Sequence, residues 1–244
     1  MKIVSIFLAL ALTAVAAETP PKMSRVTSVN VPADSAAEYY AVQRDTAEVY
    51  KANKAPFPRL CWTSLTGEPT FVLLVPLSGI DKLNDPTWLY QQGDETSRQD
   101  RFSRLRNTNG HSTSKIVTDE DDAGWNPTPN GAPAAFASVS HYSVKSGKTA
   151  DFLALIKEAT ATHKKIGKAK SVYVGRVSYG GDTNEFHVVV GYASLADLSS
   201  AGSFRTAMGE TAYNAFFKKM GETINSRQRN ILRFRPEFSY VPAK

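Results

Sequence analysis

The sequence is poor in the groups from which chemistry is most easily read. Its 244 residues hold one cysteine and four histidines. A single thiol excludes an intrachain disulfide and any CxxC site. Cys61 lies in the apolar stretch "RLCWTSL", so it is read as a buried thiol rather than a reactive one. There is no GxGxxG, no P-loop, no HExxH and no serine in a nucleophile elbow. No cofactor is therefore expected and no metal is assigned. Beyond the N-terminus no run is long and apolar enough to span a bilayer. The charge is only mildly basic, with 29 Lys and Arg against 23 Asp and Glu for a net +6. The basic residues are scattered and do not alternate with aromatics, which argues against nucleic-acid binding.

The one long apolar run is at the start, "MKIVSIFLALALTAVAAETPPK". Lys2 gives a positive n-region and Ile3–Leu12 an apolar core. The small residues Ala14–Ala17 fit an A-x-A cleavage pattern. The order predicts a cleaved signal peptide over residues 1–17, and a secreted or periplasmic protein with a charge of +5 once Lys2 is lost. The 42% apolar content of the whole chain is ordinary for a globular protein.

What the chain does contain is a pattern that occurs twice. Set at an offset of 113 against the stretch that begins at Tyr142, the stretch that begins at Val29 aligns Val31 with Val144, Tyr39 with Phe152, Val42 with Leu155 and Tyr50 with His163. After a turn where the second copy is two residues longer, the offset becomes 115 and holds. Phe71 then meets Phe186, Phe102 meets Phe217 and Ile116 meets Ile231. Each copy reads β-α-β-β-α-β. In the second, strands are predicted over Ser138–Val144, Ser171–Ser178, Glu185–Tyr192 and Arg229–Phe238, with Pro236 marking the end of the last. Phe152, Leu155, Ile156, Ala159 and Ile166 recur at helical spacing, as do Phe204, Ala207, Met208, Thr211, Ala212 and Ala215. Gly180-Gly181-Asp182 marks a hairpin. In the first copy, Asp34–Glu38 offers a capping box, and a polar second helix is placed near Thr96–Asn107. The predicted organisation is residues 24–118 and 136–240 as two domains, joined by a Pro-, Gly- and Asp-rich linker at 119–135. The acidic run Asp119–Asp122 is read as solvated charge rather than a Ca²⁺ loop.

A duplicated unit with "VKSGKTADFLALIKEA" after its first strand and "NEFHVVVGYASLADL" on its third resembles the dimeric α/β-barrel superfamily. The second half resembles NIPSNAP-type domains, in which a strand ending in Tyr, here Tyr192, runs into residues like Ser194–Asp197. The resemblance implies an α+β fold: two tandem ferredoxin-like domains whose sheets pack as a pseudo-dimeric α/β barrel. The superfamily includes cofactor-free monooxygenases, isomerases, haem enzymes and stress-response proteins, so fold alone selects no function.

Strand alternation then nominates residues. Tyr142 and Val144 share one face of their strand, and Val139, His141 and Ser143 the other. Phe186, Val188, Val190 and Tyr192 share one face of theirs, and His187, Val189 and Gly191 the other. If Val144 packs on helices, His141 and His187 both point into the barrel. Two imidazoles there could bind a metal, or one could act as a general base. No carboxylate is evident to complete a set. The first copy has Ser28 and Val72 at these positions, which leaves any such site one-sided. Trp62 and Tyr173, on matched strands, are candidate ligand-binding aromatics, with Trp88 and Trp125 as further aromatics. Arg176 is a candidate polar partner, and a haem variant would pair it with His141 or His187. His163 is read as a seam residue on the first helix of its copy, and His111 as a loop residue. The expected function is binding of a small, partly apolar molecule in the barrel. The alternatives are a cofactor-free monooxygenase- or isomerase-like enzyme with His141 or His187 as base, and a non-catalytic protein with a filled barrel. The partner expected is thus a small molecule, with homo-oligomer formation left open.

Overall fold

The computed structural model describes residues 23–84, 89, 91–108, 110–128, 132–199 and 202–242. The segment 1–17, expected to be a signal peptide, and Trp88 lie outside them. In chain order the first half contributes β1 (Met23–Asn30), α1 (Ala36–Ala52), β2 (Leu60–Ser64), β3 (Thr70–Leu77), α2 (Glu95–Thr108) and β4 (Ser112–Asp119). The second contributes β5 (Phe136–Val144), α3 (Thr149–Ile166), β6 (Ala169–Tyr179), β7 (Glu185–Tyr192), the short helices α4 (Leu195–Ser199) and α5 (Gly202–Met208), then α6 (Glu210–Thr223) and β8 (Ile224–Phe234).

The eight strands of the described residues close an antiparallel barrel in the order β1-β3-β2-β8-β5-β7-β6-β4. The fourth strand of each half lies beside the first, then the third, then the second. The halves meet along two seams, β2 with β8 and β4 with β6. Closure removes the free sheet edges that would otherwise invite aggregation. It also gives every strand an inner and an outer face.

Helices cover the outer face. In the second half, Tyr142, Val144, Phe186, Val188, Val190 and Tyr192 pack with Phe152, Leu155, Ile156 and Phe216 of α3 and α6. In the first half, Val29, Cys61 and Phe71 pack with Tyr39 of α1 and with Phe238. Cys61 is fully buried there, and burial pushes its thiol up, away from reactivity. The inner face is smaller and also apolar at its centre: Ala137, Val139 and Leu232 meet Trp62, Val72 and Val189.

Several local expectations are corrected. The second helix of the second half is broken at Gly209, whose φ of +79° ends α5 and starts α6. The last strand begins at Ile224, five residues earlier than the apolar pattern suggests, and ends at Phe234; Pro236–Phe238 is a 3₁₀ turn. Its polar start pairs with β5 through one irregularity at Asn225 and needs no apolar side chains to do so. The capping box at Asp34–Glu38 does not form. Ser35 makes no side-chain cap hydrogen bond, and Glu38 turns to Arg104 of α2 at 2.5 Å. Arg104 also reaches Asp45 at 3.2 Å, so the polar α2 is tied to α1 by surface ion pairs. The segment after β4 packs against the second half. Trp125 bridges to Val172, and the buried Ala123 accepts a hydrogen bond from Thr160 Oγ1 at 2.8 Å.

Candidate functional site

The outer packing of Val144 fixes the inward direction of His141, and the pairing of β5 with β7 places His141 directly opposite His187. Their rings lie 4.5 Å apart at a steep interplanar angle of 77°. Glu185 stands two residues before His187, so the strand's period of two puts its carboxylate on the same inner face. His187 Nε2 donates to Glu185 Oε1 at 3.0 Å, and His141 Nδ1 lies 4.0 Å from the same oxygen. Lys115, arriving from β4, donates to both carboxylate oxygens at 2.6 and 2.7 Å.

This cluster sits at the barrel end formed by the β6–β7 hairpin. Gly180 turns that hairpin with a φ of +80° and passes so close to Ser114 that a Cβ would stand 2.4 Å from its carbonyl oxygen. His187 is buried, while His141, Glu185 and Lys115 are half-buried. The hydrogen bond from His187 pulls the Glu185 carboxyl down to about 2, with Lys115 acting in the same direction, so the carboxylate is ionised. Burial pushes the His141 imidazole down to about 4, with His187 and Lys115 acting in the same direction. It is neutral at neutral pH. Glu185 and Lys115 are the two members of this cluster that sequence reasoning missed.

The other candidates are placed elsewhere. Trp62 is in the apolar barrel interior, 5.3 Å from Phe234. Tyr173 points inward but is separated from Trp62 by β8, β5 and β7. Its hydroxyl donates to Asp119 at 2.6 Å. Burial drives both that hydroxyl and the Asp119 carboxyl up. Arg176 stands on the outer face, donating to the Thr183 carbonyl and lying over Phe186. It is therefore on the opposite side of the sheet from both histidines, and the haem arrangement that would pair them does not fit.

A cavity of about 190 Å³ lies on the outer side of the same strands, between β5, β7 and β8 and helices α3–α6. This cavity lies beneath the helices, on the opposite side of the sheet from the barrel interior where the ligand space was expected, and the centre of that interior is packed with apolar side chains. Its walls are apolar, including Ile156, Val188, Val190, Phe216 and Met220. The buried Ser138 and Ser140 also line it, and they accept from the exposed Arg229 at 2.6 Å and Arg227 at 3.2 Å. Lys168 and Asp197 face it from the other side, 3.8 Å apart. His163, expected at a helix–sheet seam, lines this cavity, with its ring 5.1 Å from Phe204. Burial pushes its imidazole down to about 4, helped by Arg229.

The closed eight-stranded barrel with external helices is the fold of the dimeric α/β-barrel superfamily, and residues 138–237 match the NIPSNAP family model. Solved structures with this fold include a candidate monooxygenase from Lactobacillus acidophilus, 12% identical over 88% of this chain and 94% of that one, with a TM-score of 0.59. A candidate monooxygenase from Fusobacterium nucleatum is 14% identical over 89% and 94%, with a TM-score of 0.63. An anthrone oxidase-like protein is 7% identical over 93% and 95%, with a TM-score of 0.64. No curated relative matches the chain.

The cavity histidine makes stability depend on pH. An unfolded imidazole takes its proton near 6.5, whereas His163 in the folded protein does so only near 4. The unfolded state therefore binds more protons between those values, and stability falls as pH drops through that window. His163→Phe removes this contribution. Urea titrations are expected to show the difference between wild type and variant constant above pH 7. Between pH 6.5 and 4 it should move in the variant's favour by roughly 1–2 kcal/mol, after discounting for partial exposure. A constant difference across that range would place His163 in solvent.

Proposed function

We propose that the protein binds a small, partly apolar molecule carrying a hydrogen-bond acceptor or anionic group, and that it does so in the helix-side cavity of the second half. The observation that carries this reading is the cavity itself. At about 190 Å³ it resembles in size an apolar cavity of ~150 Å³ that holds benzene, and it is smaller than the ~300–1,000 Å³ of drug-sized sites. Unlike a dry apolar void, it has polar groups at its rim. Arg227 and Arg229 each fix one N–H on a buried serine, which holds their guanidinium planes at the opening, where an anion would pair with them. The fold neighbours named as monooxygenase and oxidase candidates support a small organic ligand.

Ligand-observed NMR titrations with benzoate and 2-naphthoate test this. Binding to wild type is expected, and a weakening of at least tenfold in Ala159→Phe, which fills the cavity, and in Arg229→Ala. Binding that survives unchanged in Ala159→Phe would remove the cavity as the site.

Two readings from the sequence belong with this proposal. The halves descend from one duplicated unit. Ser28 pairs with Val72 in the first half as His141 pairs with His187 in the second, at the offsets of 113 and 115 found in the sequence. A crystal structure with a different register in one half would undo this. The protein is also exported after loss of residues 1–17, as the order of charge, apolar run and small residues implies. Mass spectrometry of the protein made in a bacterial host is expected to find a new N-terminus close to Glu18. Accumulation of an uncleaved chain in the cytosol would contradict export.

A further inference from the structure

Within the barrel, three donor side chains meet that the cavity does not use: two imidazoles and a carboxylate. We infer that His141, His187 and Glu185 form a binding site for a divalent first-row transition cation, of which Zn²⁺ is the natural probe. One ligand atom from each of the three lies within 4.8 Å of the others. Donors arranged tetrahedrally around an ion at ~2.1 Å stand roughly 3.4 Å from one another. The observed separations from Glu185 Oε1, 3.0 Å to His187 Nε2 and 4.0 Å to His141 Nδ1, bracket that value. Rotations of side chains alone would close the set.

The chemistry of the set is selective. Two imidazoles with one carboxylate suit zinc or iron and leave coordination positions for water or substrate. They are poor ligands for Ca²⁺ or Mg²⁺, which prefer all-oxygen shells. Backbone pairing between β5 and β7 holds the three side chains on one rigid sheet face, which reduces the ordering cost of binding. The Lys115 ammonium lies on both carboxylate oxygens and competes with an incoming cation. The half-buried His141 faces the barrel end and supplies the route of entry.

The first half provides the control substitutions, because Ser28 and Val72 occupy the same paired positions in the same kind of strand. Untagged full-length protein in metal-free buffer is titrated with Zn²⁺ by calorimetry, and with Co²⁺ by visible absorption. Circular dichroism of each variant confirms folding. One Zn²⁺ per chain is expected, with a Co²⁺ spectrum of a low-coordinate N,O site. His141→Ser, His187→Val and Glu185→Gln should each weaken Zn²⁺ binding by at least tenfold, while Lys115→Met should leave it unchanged or tighten it. No Zn²⁺ binding by folded wild type overturns the inference. So does binding that is equally tight in folded His187→Val and Glu185→Gln, since the ion would then lie elsewhere.

Discussion

Closure of the barrel is the constraint on which the rest depends. Once β2 pairs with β8 and β4 with β6, every strand has one face turned to side chains across the barrel and one turned to helices. A strand's period of two then sorts consecutive residues into different environments. In β5, His141 enters the barrel while Tyr142 enters the helix-side core; in β7, His187 and Val188 divide the same way. The imidazole–carboxylate cluster and the apolar cavity are therefore built from the same two strands and separated by one layer of backbone.

That arrangement lets a small domain hold two different chemistries. The inner cluster is ionic. Its carboxylate is kept charged by hydrogen bonds from His187 and Lys115, which offset the cost of half-burying it. The outer cavity is a packing consequence. The helix over it is interrupted at Gly209, and α5 and α6 meet the sheet as separate pieces, with Phe204 and Phe216 standing at its edge. The first half has no matching pair of imidazoles, since Ser28 and Val72 stand there.

Much of this was legible in the sequence for one physical reason: alternation survives where strands are apolar. It located β5 and β7 and gave the shared inward face of His141 and His187. The same rule, applied two residues back along β7, also reaches Glu185. Glu185 opens that predicted strand, so its parity alone puts it on the face of His187. Lys115 was not legible. It approaches from β4, which meets β7 only through β6, so its contact depends on the curvature of the closed barrel. The cavity was hidden for a similar reason, because its volume is set by how far α3 and α6 stand from the sheet. The polar opening of β8 carries no apolar signal at all, and its strand is held by backbone pairing to β5.

The inner–outer division is tested most directly by NMR of the histidine rings in protein labelled at that residue type. A nuclear Overhauser contact is expected between the ring protons of His141 and His187, whose centroids are 4.5 Å apart, and none from either ring to His163. His163 should instead show contacts to Phe204. Contacts from His187 to Phe152 or Phe216 would turn β7 over by one residue, place the imidazoles beneath the helices, and contradict the account.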